Sequence, residues 1–138
     1  MMLYLDNAAT TLKKPLSVYA TLFKSTLFSG GNAGRGGHKM SMDAVRAIVD
    51  TQDLIAQLFN IKKAENIVFT QNATYALNTA ILGTMSNGGH IVVTEMDHNS
   101  VLRPACLPGN YTVVKADKSG YVHAEDVEKA VRTDTKLI

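Results

Sequence analysis

The chain has 138 residues, with 14 Lys and Arg against 12 Asp and Glu, a formal net charge of +2, 46% hydrophobic residues and 19% charged ones. That balance excludes a disordered chain, and the length suffices for a buried core. No run of five like charges occurs and no apolar run approaches the ~18 residues of a membrane span, so neither nucleic acid nor a membrane is an expected partner.

The elements follow in chain order. Residues 3–5 form a short predicted strand, followed by a turn of small residues at 6–11. Pro15 opens a helix in which Leu16, Tyr19, Ala20, Phe23 and Leu27 recur at spacings of three and four, to about Phe28. The next stretch holds five glycines, at 30, 31, 34, 36 and 37, which marks a loop of unusual backbone freedom. Ser41 is the expected cap of a helix at 42–59, whose apolar stripe runs through Ala44, Val45, Ile48, Val49, Ile55 and Leu58 and which Asn60 closes.

Residues 67–70 are β-branched and apolar, as a buried strand requires. Asn72 starts a helix at 73–86, and a second strand is predicted at 91–94. Asn99 or Ser100 caps a short helix that Pro108-Gly109 ends. A strand at 111–115, a turn at 118–120, a helix at 123–131 and the start of another strand at 137–138 complete the pattern. Strands alternating with helices imply an α/β fold with a mostly parallel sheet and flanking helices. The last residues lie inside an apolar run, so a fragment of a longer protein is expected.

One cysteine, Cys106, excludes an internal disulfide and a Cys-based zinc site, and no metal site is expected. Cys106 itself reads as a small buried hydrophobe. The start lacks a basic stretch and meets Asp6 too early for a signal peptide, so the expected setting is reducing and cytoplasmic.

Three stretches can carry chemistry. A strand runs through Val68-Phe69-Thr70 into Gln71-Asn72-Ala73-Thr74 and a helix start, where unpaired N–H groups and the helix dipole favour an anion. The same residues also serve a plain N-cap by Asn72 or Thr74. Met96-Asp97-His98-Asn99-Ser100 follows the second strand, at the sheet edge where α/β ligands bind. There His98 can face a planar ligand or move protons, or be a solvated loop residue or cap. Asn32-Ala33-Gly34-Arg35-Gly36-Gly37-His38 sets an arginine among glycines, suited to a carboxylate or phosphate, or to a mobile surface loop. Neither a dinucleotide fingerprint nor a Walker loop is present.

Taken in order, the sequence reads Leu5-Asp6-Asn7-Ala8-Ala9-Thr10-Thr11, Asn32-x-Gly34-Arg35-Gly36-x-His38, Phe69-Thr70-x-Asn72-Ala73-Thr74 and His98-Asn99-Ser100-Val101-Leu102-Arg103-Pro104. This series resembles the N-terminal part of class V aminotransferase-fold enzymes, fold-type I proteins that use pyridoxal 5'-phosphate (PLP), and among them cysteine desulfurases and selenocysteine lyases. The resemblance implies that Asn72, Ala73 and Thr74 hold the cofactor phosphate and that His98 stacks on its ring and acts as the catalytic histidine. It implies that Asn7, Ala8, Ala9, Arg35 and His38 lie on the substrate side.

It further implies a division into a 1–14 active-site segment and a 15–138 incomplete PLP-binding domain. The substrate would be L-cysteine or L-selenocysteine, the complete enzyme a homodimer, and a sulfur-acceptor protein a possible partner. Another class V reaction, such as transamination, or a non-catalytic α/β phosphate-binding module are the alternatives. Two departures stand out. Tyr75 occupies a position where relatives often carry glutamate. The family's Schiff-base lysine, preceded by a serine-x-histidine pattern, has no counterpart among the ten lysines, and Cys106 does not match the catalytic cysteine.

Overall fold

The computed structural model describes residues 3–8 and 10–138, which resolve into two compact units that meet in sequence between Ile67 and Val68. In the first, apolar spacing carries α1 (Leu16–Phe28), flanked by Pro15 at φ −53°. None of its residues is buried, and Leu16, Leu22, Phe23 and Phe28 are each more than half exposed. The second helix, α2 (Lys39–Leu58), buries Ser41 and Ala56. Asn60, at φ +54°, ends it with paired bonds from Asn60 N–H to the Gln57 carbonyl and from Ile61 N–H to the Ala56 carbonyl. This is the left-handed stop that asparagine tolerates.

The start of α2 departs from expectation. The helix begins ahead of Ser41, and His38 is its cap: Nδ1 accepts the Ser41 N–H at 3.4 Å. Ser41 therefore lies inside the first turn, fully buried, with Oγ 2.7 Å from the Asn32 carbonyl and 2.9 Å from the Gly36 carbonyl. The glycine-rich loop is wrapped around that hydroxyl. Gly31 is required there by close approach, because a Cβ on it would sit 2.3 Å from the Met40 backbone.

Two predicted strands do not form. Residues 3–5 have no ladder partner, and Leu3 and Leu5 are exposed. Residues 67–70 are likewise unpaired, with Val68 78% exposed. Apolar, β-branched composition suits a strand, but a strand exists only through a neighbour, and the described residues offer neither segment one.

The second unit holds α3 (Ala73–Thr84), β1 (His90–Thr94), α4 (Asn99–Cys106), β2 (Tyr111–Val114), α5 (Ala124–Ala130) and β3 (Thr135–Leu137). The strands form a parallel sheet in the order β2-β1-β3. Val92 pairs with Thr112 on one side and His90 with Thr135 on the other. One face of β1, through Ile91 and Val93, packs with Ile81 and Met85 from the α3 region and Ala105 of α4, and this is the core. The opposite face begins with His90, which is fully buried. Its ring nitrogens lie 2.8 Å from Thr135 Oγ1 and 2.9 Å from Thr112 Oγ1, so one imidazole spans all three strands. No helix among the described residues is long and apolar enough to cross a membrane.

Candidate functional site

A parallel sheet directs every strand's carboxyl end to one edge, and the turn after β1 delivers His98 there. That turn is tightly made. The Asp97 carboxylate accepts the Thr94 N–H at 2.7 Å and the Thr94 hydroxyl at 3.1 Å. The next residue, His98, is the N-cap of α4, in place of the expected Asn99 or Ser100. Its Nδ1 accepts the Ser100 N–H at 3.1 Å and lies 2.9 Å from Ser100 Oγ. An imidazole nitrogen in its unprotonated form caps a helix as a serine oxygen does.

The amino end of α3 is built in a parallel way. Asn72 caps it, as expected, with Oδ1 accepting the Tyr75 N–H at 2.8 Å. The Asn72 carbonyl takes the Ala76 N–H, so the N–H groups of Ala73 and Thr74 have no acceptor within the helix. Thr74 and His98 line one cleft of about 380 Å³, together with Asn78, Asn99, Ser100 and Arg103. The Thr74 amide and hydroxyl and the His98 imidazole thus gather from two helix amino ends, and the Arg103 guanidinium joins them from the last turn of α4. That is an electropositive recess, suited to an anionic group next to a flat one.

Asn78 went unnoticed in the sequence. One turn after Thr74, its Nδ2 donates to the Thr74 carbonyl at 2.8 Å and across to the Ser100 carbonyl at 3.3 Å. The i, i+4 spacing from Thr74 was the available signal, hidden because asparagine inside a helix usually faces solvent. Arg103 forms no ion pair among the described residues.

The remaining predicted positions divide as follows. Asn72 and Ala73 stand at the α3 start but do not line the cleft. Asn7, Ala8, Arg35 and His38 are exposed residues of the other unit, where His38 caps α2. Ala9 lies outside the described residues. Cys106, expected to be buried, is exposed. The buried side of α4 runs through Ser100, Pro104 and Ala105, and Cys106 falls about 100° further round the helix. There its thiol neighbours Tyr111, whose phenol it holds above its ordinary pKa. Among the described residues no cluster of three or more His, Cys, Asp and Glu could hold a metal ion.

Comparison with known proteins gives these features a setting. A family model for class V aminotransferases matches residues 3–138. A probable cysteine desulfurase of Aeropyrum pernix is 34% identical over 98% of this chain and 34% of its own length. A solved NifS-like protein superposes with a TM-score of 0.84 at 25% identity, covering 98% of this chain and 38% of that one. A structure described as SspA in complex with cysteine gives a TM-score of 0.77, also at 25% identity, over 93% of this chain and 38% of that one. The chain spans about a third of the length of the curated relatives it matches.

Proposed function

We propose the function that follows from one fact: this chain belongs to the class V aminotransferase family, matched over residues 3–138. The family is PLP-dependent in general, and the reading adopted here is a cysteine desulfurase. Such an enzyme removes sulfur from L-cysteine, leaving alanine and a protein-bound persulfide. The observation that carries it is the shared cleft of Thr74 and His98 at paired helix amino ends, in a chain whose curated relatives are named cysteine desulfurases.

The residues fit the cofactor. Its phosphate is a doubly charged anion, and the α3 start offers the unbonded N–H groups of Ala73 and Thr74 along with the Thr74 hydroxyl. Its pyridine ring is flat, and His98 supplies an imidazole on the same cleft. When bound, PLP supplies an electron sink for a carbanion next to the amino group. Thr74 and the α3 amides hold and orient the phosphate, and the dipole of α3 stabilises its charge. His98 lies against the ring and holds a proton on the nitrogen that the cap leaves free.

The further parts of the proposal come from the family resemblance. Asn7, Ala8, Ala9, Arg35 and His38 form the substrate side, residues 1–14 being an active-site segment and 15–138 part of the PLP-binding domain. L-cysteine is the substrate, with L-selenocysteine as the related one. The working form is a cytoplasmic homodimer that passes sulfur to an acceptor protein. The Schiff-base lysine and the nucleophilic cysteine would come from outside these 138 residues.

The test is Thr74→Ala in the protein as its open reading frame encodes it. Losing one charge-assisted hydrogen bond removes roughly 1.5–3 kcal/mol, so PLP affinity should fall about ten- to a hundred-fold. Cofactor affinity unchanged in that variant would remove Thr74 from the site. Failure of the unsubstituted protein, supplied with a thiol reductant to regenerate its cysteine, to convert L-cysteine to alanine would remove the desulfurase reading.

A further inference from the structure

Ser100 is buried at the start of α4, and all three of its polar groups are engaged with residues that line the cleft. Its backbone N–H donates to His98 Nδ1 at 3.1 Å, and its hydroxyl lies 2.9 Å from the same nitrogen. Its carbonyl accepts from Asn78 Nδ2 at 3.3 Å. That last bond has a cause in the sequence. Inside a helix the Ser100 carbonyl should receive the N–H of the residue four positions on, which is Pro104. Proline has no N–H, so the carbonyl is left without its helical donor. Asn78, reaching from α3, takes its place.

A backbone N–H can only donate, so His98 Nδ1 must be an acceptor and the proton of the neutral ring must sit on Nε2. We propose that Ser100 is the positioning residue for His98: with N–H and hydroxyl it fixes the imidazole as the Nε2–H tautomer, and through the Asn78 link it fixes that ring relative to the α3 amino end. The consequence is chemical. The neutral ring has no free lone pair, because Nδ1 is occupied and Nε2 is protonated. His98 therefore presents a hydrogen-bond donor, not a base, to whatever lies in the cleft.

The assignment of a use to this ring rests on the PLP reading, but the tautomer does not, and the experiment separates them. Long-range 15N–1H correlation spectra of the cofactor-free protein, taken above the pH at which the ring protonates, report which nitrogen of His98 carries the proton. The expected result is an unprotonated Nδ1. Ser100→Ala should lower the tautomer preference about five-fold, the worth of one neutral hydrogen bond. Ser100→Thr, which keeps a hydroxyl, should restore it.

Asn78→Leu should shift the His98 signals in the direction of Ser100→Ala, since it acts through Ser100. Far-ultraviolet circular dichroism checks that each variant is folded, and Ser100→Thr serves as the reading if the alanine variant is not. A protonated Nδ1 in the unsubstituted protein would overturn the proposal. So would a His98 spectrum that Ser100→Ala leaves unchanged, or one that Asn78→Leu leaves unchanged. A protein with the expected tautomer that retains no PLP would sink the cofactor reading and leave the role of Ser100 standing.

Discussion

The two compact units use similar amounts of helix and differ in what their apolar residues accomplish. The unit ending at Ile67 buries little beyond Ser41 and Ala56, and α1 buries nothing. The unit from Val68 onward buries Ile81, Met85, Ile91, Val92, Val93, Ala105 and Val114. Its helices have a sheet to lie on. A sheet offers a broad apolar face, whereas a helix offers a stripe, and a stripe without a partner stays wet. Amphipathic periodicity therefore forms the helix in both units, but only the sheet converts it into a core.

The strongest way to break this contrast is a matched pair of truncations. Ile91→Ala in β1, where the side chain is 1% exposed, should cost about 2–5 kcal/mol in denaturant unfolding. Leu22→Ala on α1, where it is 65% exposed, should fall within about 0.5 kcal/mol of no change. Equal costs would mean that α1 is packed in solution.

A smaller effect sharpens the comparison from the other side, since the first unit does have one tightly made place. Gly31→Ala would drive a Cβ to 2.3 Å from the Met40 backbone, which no rotamer can relieve. The expected cost is about 1–3 kcal/mol, as for overpacking. Amide exchange should show it as lost protection around Ser41, whose hydroxyl the loop encloses. Unaltered exchange at Ser41 would show that the loop is held by something other than that approach.

The smallest effect asks whether order in the second unit extends to its rim. Asp117 is lowered to about 2, first by the Ser119 hydroxyl and then by the Tyr121 and Ser119 N–H groups. Its folded pKa is below that of the unfolded chain. The turn therefore stabilises the fold above roughly pH 4, and that contribution is lost as the pH falls through about 2. Carbon-detected titration of the aspartate carboxyls checks this, and a midpoint at the ordinary aspartate value would show the turn open in solution.

Much of this was legible in the sequence, for local reasons. Spacings of three and four found α1 through α3, and short β-branched runs found β1 and β2. Thr74 was legible because it opens a helix after a capping asparagine, and His98 because it follows a strand at the edge where α/β ligands bind. What was hidden is non-local. Residues 67–70 carry strand composition, but composition does not say whether a partner exists. The cap of α2 is His38 where Ser41 was expected, and that of α4 is His98, which the sequence allowed as a cap beside Asn99 or Ser100; preference for Ser, Thr, Asp and Asn at caps hides an imidazole with a free lone pair. Cys106 was misplaced because an eight-residue helix gives too few turns to define a face. Asn78 needed Pro104 to be read together with a helix elsewhere in the chain.

The buried imidazole of His90 bears on how the sheet assembles. Its two nitrogens require a hydroxyl on each flanking strand, and Thr112 and Thr135 provide them. If β3 slipped by one residue, Asp134 or Lys136 would stand opposite His90, and the threonine would turn to the far face. The same slip would turn Leu137, the one apolar residue of β3, away from the core, so the ring and the core favour the same register. A misregistered chain would bury an unsatisfied nitrogen beside a charge, a state that folding can reject before the strands lock. A single polar residue at the start of the central strand thus serves as the sheet's alignment mark.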